Sequence, residues 1–284
     1  MKPLNNTGCS SGVSQAAISL VCFLLLMALS ACNLYECAEN RSSDKAKKEE
    51  AGIHIDNGEY DKALDILNKL YNKNPDTTDA KLLQLLSNAS SGSIGIDTFK
   101  ILEIIDEIID TDAGGFDLVG RVLGDEDGYL EKDTIKTNLI TLGQSSIHYL
   151  EQIPEKTEDH HSQLGLLSLI DSVMIIGDMI IEQKEDDGKI KLTREGIREL
   201  YQDSYTDDAR LTLEDDNEKR LNDNVGRMNA SINSILLLSN GTDPKDNDLT
   251  EIFDDFLEAI TDTDGNITGE LLNDYLASLV GSTK

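Results

Sequence analysis

Three short acidic segments hold the side chains whose types and spacing could do chemistry. They read Asp125-Glu126-Asp127-Gly128-Tyr129-Leu130, Glu185-Asp186-Asp187-Gly188-Lys189-Ile190 and Asp262-Thr263-Asp264-Gly265-Asn266-Ile267. Each runs acid, any residue, Asp, Gly, any residue, then Leu or Ile. Carboxylates grouped in this way supply oxygen ligands to a hard divalent cation. The same residues also build a turn without metal. Asp-Gly provides the left-handed backbone, the apolar residue tucks under it, and a following Thr or acid opens the next helix.

The pattern resembles positions three, five, six and eight of an EF-hand loop. That resemblance implies Ca²⁺ as the ligand and Asp125, Asp127, Glu185, Asp187, Asp262 and Asp264 among its carboxylates. The rest of the loop departs from the family. Leu123, Gln183 and Ile260 stand where the first Asp belongs, and Thr134, Arg194 and Leu271 where the bidentate Glu belongs. Glu270 comes one residue early. Ca²⁺ takes six to eight oxygens, and these losses remove about three from each loop. A shortened register through Asp262, Asp264 and Asn266 lacks the Gly that should follow Asn266. The leading expectation is therefore three similar helix-to-helix turns with no cofactor. A cation-responsive module is the alternative.

Other chemistry is sparse. His160 and His161 are adjacent, so they do not share a helix face at ligand spacing, and an exposed loop pair is expected. His54 and His148 are isolated. The sequence holds no nucleophile elbow, phosphate loop or dinucleotide fingerprint. Carboxylate pairs abound, but among 54 acids they carry no specificity for catalysis. A non-enzymatic protein is expected.

The elements that must position these loops begin after a leader. Lys2 and a polar stretch precede an apolar run, Ala16 to Leu29, that is short for a membrane span of about 20 residues and suits a signal peptide. Leu29-Ser30-Ala31-Cys32 resembles the bacterial lipobox. The resemblance implies cleavage before Cys32, acylation of its thiol, and a lipid-anchored protein of the bacterial cell envelope. Asn33, where Asp would suggest inner-membrane retention, leans towards the outer membrane. Each buried methylene adds about 0.8 kcal/mol, so more than one chain anchors stably. Cys9 and Cys22 leave with the leader, and Cys37 is left without an internal disulfide partner. Asn33 to Ser43 is a polar tether that reaches at most ~40 Å.

The segment from Asp56 to Asp76 reads "DNGEYDKALDILNKLYNKNPD". Ala63, Leu64, Leu67, Leu70 and Tyr71 recur on one helical face, and Pro75 follows the last of them. Gly58, Tyr60, Ala63, Leu67, Leu70 and Pro75 have the spacing of the second half of a tetratricopeptide repeat, which the segment resembles. Ala51 takes the small position of the preceding helix, but Lys47 and Glu50 replace its bulky apolar residues. A further helix begins after Pro75 and runs into a Ser/Gly turn. The resemblance covers some 45 residues. It implies a helical groove that binds a protein or peptide, and about three stacked units to bury the faces.

The remaining apolar stripes are helical too. They run through "DTFKILEIIDEIID", Lys132 to Ile153, Ser162 to Gln183, "TREGIRELYQDS", "KRLNDNVGRMNASINSILLLSN", "DLTEIFDDFLEAI" and "GELLNDYLASLV". No convincing strand set is read. Ser162 to Gln183 is apolar almost all round, as a central buried helix would be, and Asp171 and Asp178 argue against a membrane span.

The expected fold is all-α, a tetratricopeptide-like array of helical hairpins or α-solenoid-like bundle. The expected organisation is a signal peptide (1–31), an anchored tether (32–43), repeat-like helices (44–112) and a further helical region packed on them (113–284). The net charge is −29, and the first 31 residues hold one Lys and no acid, so the rest carries −30. Such a surface repels nucleic acid and favours basic partners. The expected function is an anchored, non-catalytic scaffold for an envelope protein or peptide.

Overall fold

A computed structural model describes residues 43–97, 101, 115–184, 188–201, 205–238 and 248–281. The leader, Cys32, the tether before Ser43, Glu185, Asp187 and nearly all of "DTFKILEIIDEIID" lie outside the described residues. The chain divides into two compact units, 1–49 and 50–284. Of the first, residues 44–49 begin a helix whose remainder belongs to the second.

The fold is all-α, as expected. Helix α1 is Asp44–Asp56, α2 is Tyr60–Tyr71 and α3 is Ala80–Ser93. Gly58 turns the chain between α1 and α2 with φ +73°, a conformation open to Gly because it has no Cβ. Asp79 caps α3, its side chain accepting from the Leu82 amide at 3.1 Å. Ala51, Ala63, Leu67, Leu70, Leu86 and Ala89 are among the buried residues of a small core on these helices. Tyr71 and Tyr149 join it to the larger core of the protein.

The larger core is built on two long helices, α7 (Glu158–Lys184) and α9 (Asp215–Leu238). α7 is long and apolar enough to cross a membrane, but its apolar residues from Leu164 to Ile181 are packed into the protein. The two helices cross closely because Gly165 presents no side chain. A Cβ there would lie 2.6 Å from Ser231 Cβ and 2.8 Å from the Phe253 ring. Helix α4 (Gly115–Leu123), helix α5 (Lys132–Thr141), a π-turn (Leu142–Ser146) and helix α6 (Ile147–Glu151) precede α7. Lys132 to Glu151 is thus continuously helical but carries a wide turn inside it. The stripe read from Lys132 to Ile153 shows its apolar face and does not reveal that turn.

Helices α8 (Arg194–Tyr201), α10 (Asp248–Ile260) and α11 (Gly269–Val280) and a 3-10 turn (Asp207–Ala209) are the other helical elements among the described residues. Thr268 caps α11 by accepting from the Leu271 amide at 3.3 Å. Asn273, nearly buried on α11, accepts from the Leu211 amide at 2.7 Å and donates to the Leu211 carbonyl at 3.1 Å. Tyr205 donates its hydroxyl to the same Asn273 oxygen. One side chain thereby satisfies both backbone groups of Leu211, which is buried outside regular structure and would otherwise leave them unpaired.

Two strands, β1 (Tyr129–Glu131) and β2 (Lys189–Lys191), qualify the expectation of none. They pair antiparallel, with Leu130 opposite Ile190. Three-residue strands fall below what alternating hydrophobicity can reveal.

Candidate functional site

The three acidic segments are the natural candidate because each joins two helices. The first connects α4 to α5, the second α7 to α8, and the third α10 to α11. Gly128, Gly188 and Gly265 take φ values of +83°, +75° and +80°. The glycines stand where the turn needs left-handed backbone, as the Asp-Gly pattern indicates.

The first and third loops close in the same way. Asp125 Oδ1 accepts from the amides of Asp127 and Tyr129, both at 3.0 Å. Asp262 Oδ1 accepts from the amides of Asp264 and Asn266, both at 2.9 Å. The Gly amide of each loop donates to the carbonyl of its first Asp, at 2.8 Å from Gly128 and 3.0 Å from Gly265. The Tyr129 amide does most to hold the Asp125 carboxyl below its usual range. These first carboxylates therefore brace their own turns, and Asp127 and Asp264 stay exposed.

Pairing differs between loops. Leu130 and Ile190, the equivalent apolar residues of the first two, meet across the β1–β2 ladder and are both buried. In the third, Ile267 is also buried but bridges only to Thr261 within its own loop. Its amide donates to Asn222 Oδ1 on α9 at 2.8 Å. A side-chain amide thus takes the place of a partner strand. Among the described residues, no three His, Cys, Asp or Glu side chains converge as a metal site would require.

The repeat-like positions fall together on α1–α3. Ala63, Leu67 and Leu70 are buried along α2, and Ala51 faces the same core from α1. The Tyr60 ring lies against Gly92 of α3, where a Cβ would come within 2.2 Å of it. Its hydroxyl donates to Asp97 at 3.2 Å. Pro75 is exposed just beyond α2. Sequence reasoning missed the approach of Tyr60 to Gly92 and to Asp97, although Gly92 inside an apolar helix is a signal of close approach.

The histidine pair is placed differently from expectation. His160 and His161 lie in the first turn of α7 rather than in an exposed loop, and His160 is buried. The His160 Nδ1 accepts from the Thr157 amide at 3.0 Å. That nitrogen is therefore unprotonated, and burial holds the imidazole below its ordinary 6.5. His160 serves a helix start that adjacency in sequence could not show.

A polar seam that the sequence did not announce crosses the core. Asp171 is wholly buried in α7. Arg220 of α9 grips it through Nε at 2.9 Å and Nη2 at 2.5 Å. Asn224 donates to it at 2.9 Å, and Arg227 donates to Asn224 Oδ1 at 2.7 Å. Burial pushes the Asp171 carboxyl up, with Arg220 and Asn224 pulling against it. Beside the seam is an open cleft of about 560 Å³ lined in part by Glu151, Lys156, His161, Asp223 and Arg227.

Comparison with protein-family models, curated proteins and solved structures finds no match.

Proposed function

We propose that this protein is a lipid-anchored, non-catalytic scaffold of the bacterial envelope that binds a protein or peptide through its α1–α3 surface. The observation that carries the reading is helix α2 packed on α3. The spacing from Gly58 to Pro75 resembles the second half of a tetratricopeptide repeat, Ala63, Leu67 and Leu70 face a common core, and Tyr60 sits on Gly92 of α3. Cys32 carries the anchor by its lipobox resemblance, with Asn33 favouring the outer membrane. The net charge of −29 favours a basic partner.

Site-specific photo-crosslinking in intact cells tests this. The crosslinker replaces Ile53 on α1, 60% exposed, or Ile140 on α5, 57% exposed. A discrete adduct is expected from Ile53 and not from Ile140. It should fractionate with membranes and become soluble in a Cys32→Ser chain. Equal adducts from both positions, or none from either, would contradict the proposed surface. An adduct that stays with membranes despite Cys32→Ser would contradict the anchor.

The Leu130–Ile190 pairing supports a second reading, because paired EF-hand loops join through this apolar position. On that reading the Asp-Gly loops bind Ca²⁺ weakly and report it to the helices they join. Calorimetry with Ca²⁺ discriminates: heat that persists in an Asp127/Asp187/Asp264→Ala variant would sink the reading. Heat lost in that variant, with its helices intact, would support it.

A further inference from the structure

The π-turn at Leu142–Ser146 is the irregularity that the scaffold reading does not explain. A π-turn closes with hydrogen bonds five residues back and inserts one residue into an α-helix. Here the Ile147 amide bonds to the Leu142 carbonyl. Such turns cost hydrogen-bond geometry, so something must hold this one in place.

Arg220 reaches into it. Besides its two bonds to Asp171, Nη2 donates to the Leu139 carbonyl on the last turn of α5 at 2.6 Å. Gly143, inside the π-turn, makes room for the guanidinium. A Cβ there would stand 2.8 Å from Nη2 and 3.1 Å from Cζ. A buried carboxylate on α7 thus orients a guanidinium on α9 that fastens a carbonyl beside the wide turn. Arg227, also on α9, fastens the far end: its Nε and Nη2 donate to Glu151 Oε1 at 2.8 and 2.6 Å.

Between these two points lies α6, and α6 meets α2 and α3. The Tyr149 ring stands edge-on to Tyr71 of α2, with centroids 5.3 Å apart and planes at 74°. Gln152, just past α6, hydrogen-bonds the Tyr71 hydroxyl, Nε2 donating at 3.3 Å. One residue corresponds to about 100° of helix rotation. Straightening the π-turn into α-helix, with α5 held, would therefore carry Tyr149 off Tyr71.

We propose that Asp171 and Arg220 form a latch that holds Lys132–Glu151 in its π-register, and that this register seats α6 on α2 and α3. The latch is a conformational device: withdrawing Arg220 from Leu139 loosens the junction between the small core and the large one. The proposal does not depend on what the α1–α3 surface binds.

Hydrogen exchange resolved by segment, on the full chain, tests it. The Arg220→Met variant removes the guanidinium but leaves Asp171 buried and uncompensated, which destabilises the whole fold. An Arg220→Met/Asp171→Leu pair removes both charges and preserves packing. In that double variant, amides of Leu142–Ile147 are expected to exchange at least about tenfold faster, while those of α10 and α11 are unchanged. A 3-fluorotyrosine signal assigned to Tyr149 by its loss in Tyr149→Phe should shift as the ring leaves Tyr71. Unchanged exchange at Leu142–Ile147, uniform acceleration through every helix, or a stationary Tyr149 signal would each overturn the latch.

Discussion

Arg220→Met is expected to lower the unfolding free energy by about 3–5 kcal/mol at pH 7, the range for breaking a buried ion pair from one side. Asp171→Leu should cost less. The asymmetry follows from exposure. The Asp171 side chain is 1% exposed and cannot reach water, whereas that of Arg220 is 33% exposed and can turn outward. Removing both charges should be nearly neutral for stability, although it frees the π-turn. The pH dependence has a definite sign. Burial already raises the Asp171 carboxyl above its ordinary 3.8 in the folded state. A raised carboxyl contributes stability below the unfolded value and loses it as pH rises through the folded one. Without Arg220 the carboxyl rises further. The Arg220→Met variant should therefore recover stability between pH 7 and pH 4, relative to a parent carried through the same range. Denaturant titration at the two pH values checks this, and parallel losses in variant and parent would contradict it.

Phe253→Ala is expected to cost about 3–5 kcal/mol, as for a fully buried aromatic ring. Phe253 is 0% exposed on α10, and its edge covers Gly165 where α7 meets α9. The ring is a third surface at the crossing of the two longest described helices. Its removal leaves a cavity that Gly165 has no side chain to fill. Phe253→Leu should recover part of the loss because it restores volume without the ring. Denaturant titration checks the pair. A loss below about 1 kcal/mol for Phe253→Ala would mean that α10 does not brace the crossing.

The elements with long apolar stripes were the legible part of this fold. α2, α10 and α11 show their buried faces directly in sequence, and the near-uniform apolarity of α7 indicated a central helix. What escaped was long-range. The β1–β2 ladder joins segments some 60 residues apart and is too short to show an alternating pattern. The π-turn depends on Arg220, about 80 residues from Leu139, and neither residue marks it locally. Asp171 was legible as a reason against a membrane span, but its partner was not, because charge pairing across helices leaves no periodic trace. The Asp-Gly loops were legible as helix-to-helix turns, since Gly and Asx chemistry is local. Their unequal partners, a strand for the first and Asn222 for the third, were not. The turn at Gly58 and the buried face of α2 were legible for the same local reason, whereas the approach of Tyr60 to Gly92 on the next helix was not.

The central claim is that partner binding resides on the α1–α3 surface. The most direct test measures the affinity of the protein captured from Ile53 for the full chain and for an Ile53→Asp variant. Ile53 is exposed, so the substitution should leave the melting temperature within about 2 °C of the parent, as surface changes usually do. Affinity should fall at least about tenfold, with an Ile140→Asp control unchanged. Equal affinity for all three chains would contradict the claim.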